Sequence, residues 1–120
     1  MMVWNTYLAT QYARINAKPH SIGACAHYVS EAIRFGGIYI PNTPYARDMG
    51  NTLLTAGFQY TDGNLYIGDI AVIQPVPGHP YGHACIYDGN NWISDFIQQS
   101  MYPGPAYRYT RPPYAIFRHA

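Results

Sequence analysis

Apolar spacing changes once along this chain of 120 residues, and the change restricts the folds open to it. Up to about Gly57, apolar residues recur at intervals of three and four. Beyond it they fall into short, β-branched blocks with period two. Helices first and strands after describe an α+β protein.

Residues 4–15 carry Trp4, Tyr7, Leu8, Tyr12 and Ile15 at helical spacing, and Lys18-Pro19 with Gly23 ends that segment. "CAHYVSEAIRFGG" is the strongest helix. Cys25, Tyr28, Val29, Ala32 and Ile33 share one stripe, with His27, Ser30, Glu31 and Arg34 opposite and Gly36-Gly37 as the stop. "YARDMGNTLLTAGF" predicts one more helix or two short ones. "GDIAVIQPV" reads as a central strand, apolar on both faces. "HACIYDGNNWISDFI" reads as a hairpin around Asp88-Gly89-Asn90-Asn91. "QQSMYPGPAYRYTRPP" reads as a loop and "YAIFRH" as a last strand.

Charged residues make up only 11% of the chain, the formal net charge is +1, and no basic run occurs, which argues against nucleic acid as the partner. Thirteen tyrosines and many small polar residues suit a neutral, peptide-like ligand. The opening "MMVWNTYLATQYARIN" lacks the basic-then-apolar layout of a signal peptide. No apolar run approaches the roughly 18 residues of a membrane span. The expectation is synthesis in a cytoplasm, with any action elsewhere requiring a dedicated exporter.

Chemistry centres on Cys25, one of two cysteines. It opens the strongest helix, where backbone N–H groups and the positive end of the dipole favour a thiolate and can hold an oxyanion. It also lies on the apolar stripe, so an ordinary buried thiol remains open. A thiol nucleophile needs an imidazole within hydrogen-bond reach. His27 lies about 200° around the helix from Cys25 and points away. His83 opens an apolar strand just after Gly82, a place from which a ring reaches a cleft while the strand fixes its rotamer. Cys85, two residues on and about 6–7 Å along the strand, reads as packing. A Cys25–Cys85 bridge is conceivable and would remove the nucleophile. A zinc site from Cys25, His27, His83 and Cys85 fails because His27 faces away, so neither metal nor cofactor is expected.

A third group should orient the imidazole. With a three-residue turn, Tyr87 pairs with Asn91 and His83 lies opposite Asp95 on one face. An even-numbered turn sends Asp95 to the other face. The apolar pattern permits the first register without forcing it.

"GACAHYVSEAIRFGGIYIPNTPYARDM", "GDIAVI" and "GHACIYDGNNWISDF", in this order, resemble the NlpC/P60 and CHAP branches of the papain-like cysteine peptidases over about residues 20–97. The resemblance implies one papain-like hydrolase domain over 1–120, with N-terminal helices packed on an antiparallel sheet. It implies Cys25 as nucleophile, His83 as general base and Asp95 as the third residue. Tyr12, His20 and Ser21 are the candidates for substrate or oxyanion contacts. The Asp and Ser of the family's "DCSGF" are replaced here by Ala24 and Ala26, so this chain lacks the side chains that make substrate contacts there in the family. Cysteine before histidine matches the unpermuted, peptide-cleaving branch.

The substrate so implied is a peptidoglycan stem peptide or cross-link. A small domain of this kind without a leader is similar to amidase effectors of type VI secretion and to phage or polymorphic-toxin lysins. That implies action in a periplasm or cell wall and an immunity protein as partner. Two other readings stay open: a non-catalytic binding module on the same fold, and a Cys-His-Asp deamidase or acyltransferase acting on a protein or lipid.

Overall fold

The computed structural model describes residues 3–120. Two helices come first, α1 (Thr6–Asn16) and α2 (Cys25–Phe35). A 3₁₀ turn (Ala46–Asp48) leads into α3 (Met49–Thr55). Strands follow: β1 (Gln59–Thr61), β2 (Ile70–Ile73), β3 (His83–Tyr87), β4 (Trp92–Ile93) and β5 (Ile97–Gln98). The chain closes with α4 (Pro105–Thr110) and β6 (Tyr114–Arg118). The strands form one sheet in the order β1-β6-β2-β3-β4-β5, every neighbouring pair antiparallel. This is the α+β arrangement of helices on an antiparallel sheet that the change in apolar period requires.

The two faces of β3 have different neighbours. Ala84 and Ile86 join Val29, Ile33, Met49, Leu53, Phe58, Ile70, Ile93 and Phe117 in the core under the helices. Burying each large apolar side chain there contributes about 1.5–3 kcal/mol. By strand alternation His83, Cys85 and Tyr87 face the other way. There Ala71, Cys85 and Trp92 pack against Met101, and Ile73 and Val76 pack against Tyr107 of α4. The C-terminal segment is therefore a cover for the second face of the sheet, and part of it is helical. Pro105 at the helix start suits a first-turn position that needs no N–H.

The turn between β3 and β4 departs from the three-residue expectation. Ile86 pairs with Ile93 and Tyr87 with Trp92, leaving four residues in the turn. Asp88 makes that turn: its Oδ1 accepts from Asn90 N–H at 2.9 Å and Asn91 N–H at 2.6 Å. Arg14 of α1 holds Asp88 Oδ2 at 2.9 Å. The even loop shifts the register by one and sends Asp95 to the face opposite the one expected.

Candidate active site

α2 begins at Cys25 without a local cap. Ala24 supplies no side-chain hydrogen bond, whereas Asn5 caps α1 by accepting from Leu8 N–H at 2.9 Å. Asp95 does this work from a distance. Its Oδ2 accepts from Ile22 N–H at 2.8 Å, Ala24 N–H at 3.0 Å and Ser21 Oγ at 3.1 Å. Ser94 Oγ donates to Oδ1 at 3.2 Å. Asp95 is fully buried, and its negative charge lies at the positive end of α2. The Asp95 expectation is thereby corrected in its geometry. The carboxylate builds the loop that presents Cys25 and makes no hydrogen bond to His83.

His83 has a different partner. Its Nε2 lies 2.7 Å from Gln98 Oε1. Trp92 pairs with both Tyr87 and Gln98, so Gln98 falls on the face that carries His83. Gln98 is buried, and its Nε2 donates to Ser100 O at 2.9 Å and Met101 O at 3.0 Å. With its NH₂ committed to two carbonyls, the amide presents only its oxygen to the ring. The imidazole therefore carries its proton on Nε2, and Nδ1 is left with a lone pair.

Gly82 makes the approach to His83 possible. Its φ is +70°, and a Cβ there would collide with Ile73 O. Around the ring, Tyr107 lies 6.0 Å from His83 between centroids.

The Cys25 thiol is half-buried and lies against the backbone N–H of Ala84, the residue after His83. That contact puts the sulfur beside the start of β3. Among the described residues there is no hydrogen bond between Cys25 and His83. Burial pushes the thiol above the ordinary cysteine value, and Asp95 adds to that. The N–H groups of Ala84, Ala26 and Cys25 oppose it without reversing it. Burial likewise holds His83 below the usual imidazole value, against the Gln98 hydrogen bond and the Asp95 charge. Both shifts favour the uncharged forms, a thiol at Cys25 and a neutral imidazole at His83. The helix terminus alone had suggested a thiolate; desolvation outweighs it.

The other candidate residues separate. Ser21 belongs to the loop before Cys25, where its Oγ also accepts from Gly23 N–H at 3.3 Å. His20 is exposed in the same loop. Tyr12 is not at the site: its ring stacks on Phe35 at 4.7 Å, and its hydroxyl donates to Glu31 at 3.5 Å on the α1–α2 surface. His27 is exposed and 3.8 Å from Glu31. Cys25 and Cys85 are both free thiols. Cys85 is fully buried, its thiol far above its ordinary value, so it packs without reacting. Among the described residues no three His, Cys, Asp or Glu side chains converge as metal ligands. Sequence reasoning missed Gln98. Its signal was a glutamine in a strand-like run after Trp92, readable only once the turn length is known.

A hollow of about 300 Å³ opens at Cys25, lined by Gly23, Ala24, Asn42, Thr43, Pro44 and Tyr81 among others. Tyr81 stacks face to face on Tyr45, with centroids 4.4 Å apart. Arg47 braces the pair, 4.9 Å over Tyr45, with Nη1 donating to Pro80 O at 2.7 Å. A larger hollow of about 630 Å³ lies between the β1–β6 edge, Trp92 and Met101. Cys25 does not line it but does line the smaller one, so the thiol points to the smaller one.

No protein-family model matches the chain, and no curated protein matches it. Solved structures do. The effector of the type VI native effector–immunity complex Tae3–Tai3 from Ralstonia pickettii is 49% identical, with a TM-score of 0.95 over 98% of this chain and 100% of that one. The selenomethionine form of the same complex gives 52% identity and a TM-score of 0.89, over 91% and 97% of the two chains. Identity at this level over nearly the whole of both chains leaves one conclusion: the chain belongs to the Tae3 family of type VI effectors.

Proposed function

We propose that this effector is a peptidoglycan amidase working through Cys25, His83 and Gln98, a papain-like cysteine hydrolase of the NlpC/P60–CHAP kind formed by residues 1–120. The observation that carries the reading is the 2.7 Å bond from His83 Nε2 to Gln98 Oε1, which leaves Nδ1 as the basic nitrogen on the residue before Ala84, whose N–H the helix-starting Cys25 thiol meets.

In this reading a substrate amide enters the hollow at Cys25. His83 Nδ1 takes the thiol proton as the sulfur attacks the carbonyl carbon. The tetrahedral oxyanion is held by backbone N–H groups at the start of α2, that of Cys25 among them. On collapse the C–N bond breaks, and His83 returns the proton to the leaving amine. Water, deprotonated by the same imidazole, then hydrolyses the thioester and frees Cys25. Gln98 holds the ring and its tautomer. Asp95 positions the Ser21–Ala24 loop and so the attacking sulfur.

The substrate assigned is a peptide of the bacterial wall, a stem or cross-link. The neutral lining of the hollow supports it, and so does membership in an effector family whose solved member is bound to an immunity protein. By the same likeness we assign this chain an immunity partner and delivery to the periplasm of a target cell. None of its described helices is long and apolar enough to cross a membrane.

Product analysis tests the activity. Mass spectrometry of purified sacculi treated with the protein should find new amine and carboxylate ends in equal number at one peptide bond. Loss of ammonia without cleavage would indicate a deamidase, and transfer of an acyl group an acyltransferase. The lack of a Cys25–His83 hydrogen bond keeps a second reading, a non-catalytic binding module. It requires that Cys25 show no pH-dependent reaction with a thiol probe.

A further inference from the structure

The C-terminal segment brings a second hydroxyl-bearing ring to the dyad. Tyr107 is only 4% exposed, yet its hydroxyl has no hydrogen-bond partner among the described residues. Among those residues, only Ser30 Oγ is both sealed from solvent and unpartnered. The Tyr107 hydroxyl therefore keeps some contact with solvent, while the residue packs with Ile73 and Val76. Two imidazoles flank it, His83 with centroids 6.0 Å away and His79 5.3 Å away. A hydroxyl that keeps solvent contact at one point of an otherwise buried ring has its hydrogen-bonding capacity open to water or to a ligand there.

We propose that the Tyr107 hydroxyl contacts substrate, donating a hydrogen bond to an acceptor oxygen on the amine-side half of the scissile amide. The inference rests on the Cys25–His83 reading above. In that reading His83 protonates the departing amine, so the amine-side fragment must lie against the imidazole. Tyr107 flanks that imidazole with an open donor. Burial, reinforced by charge on Cys25, pushes the phenol up to about 12, so the group stays protonated and acts as a donor at neutral pH. α4 thereby becomes one wall of the substrate cleft as well as a cover for the sheet.

Tyr107→Phe keeps the ring and removes only the hydroxyl. In the full chain, kcat/KM for release of fragments from sacculi should fall about three- to tenfold. Alkylation of Cys25 by iodoacetamide should keep its wild-type rate and pH profile, because the dyad is untouched. Rates are compared per alkylatable Cys25, which corrects for any unfolded fraction. A wild-type kcat/KM for fragment release would overturn the proposal. So would a parallel change in the alkylation profile, which would mean that Tyr107 acts through the dyad. Cys25→Ala separates the two levels of the account. If it is inactive while Tyr107→Phe equals wild type, only this inference fails. If Cys25→Ala is itself active, the dyad reading fails.

Discussion

His83 Nε2 and Gln98 Oε1 lie 2.7 Å apart, and both side chains are buried. The pair joins the first residue of β3 to the last of β5 across β4. Gln98→Ala removes the acceptor that fixes the ring, and misplacement on that scale costs about 10²-fold in kcat. It also frees two carbonyls, Ser100 O and Met101 O, from their donor. The assay is sacculus digestion. A wild-type kcat in Gln98→Ala would show that another residue orients His83.

Asp95 affects the dyad through charge as well as through its loop. Its carboxylate raises both the Cys25 thiol and the His83 imidazole. Asp95→Asn should therefore lower both, and the pH profile of Cys25 alkylation should move toward lower pH. At a fixed pH near neutrality the thiol should alkylate faster than in wild type. Asp95→Ala also loses the acceptor of two backbone N–H groups and should lower stability by about 2–3 kcal/mol in urea. An unshifted profile in Asp95→Asn would remove the electrostatic part of this role.

The two thiols should behave differently. Iodoacetamide on the native protein should modify Cys25 alone, slowly at neutral pH and faster as pH rises, because burial holds its pKa above the ordinary value. Cys85 should react only after unfolding. Peptide mapping by mass spectrometry distinguishes the sites, and native labelling of Cys85 would contradict the packing assigned to it.

His83 sets an acid limit on stability. Its folded pKa is below the ordinary 6.5, so as pH falls through that value the unfolded chain binds a proton the folded chain resists. The stability present above about 6.5 should decline on acidification, and His83→Gln should decline less. Urea midpoints across that range measure the difference.

Ser30 offers an independent test of the core. Its hydroxyl is fully buried in α2 without a partner. Ser30→Ala should stabilise the protein by about 1 kcal/mol and leave activity unchanged. A loss of stability would mean that the hydroxyl is satisfied in solution.

Periodicity was enough to read α1, α2, β2, β3 and β6 as elements, although α1 buries Ala9, Thr10 and Ala13 and leaves Tyr7, Leu8 and Ile15 of the expected stripe exposed. It was also enough to place Cys25 at a helix start and His83 at a strand start. The third residue was not readable, and the reason is local. Whether Asp95 or a later residue shares the face of His83 depends on the parity of one turn. That parity goes with Asp88, which accepts from Asn90 and Asn91 N–H within the turn and is also held by Arg14, 74 residues away. Asp88-Gly89-Asn90-Asn91 suits a three- or a four-residue turn equally, so the residue types alone did not decide it. α4 was missed because six residues carry too little period to distinguish from a Pro/Tyr-rich loop, although Pro105 at its start was a signal.

The central claim is that Cys25 is the nucleophile of a wall-cleaving centre. The most direct measurement is digestion of purified sacculi by wild-type protein and by Cys25→Ala of matched circular dichroism, with released fragments counted by mass spectrometry. The account requires fragments from wild type and none above background from Cys25→Ala. Equal release by the two proteins would contradict it.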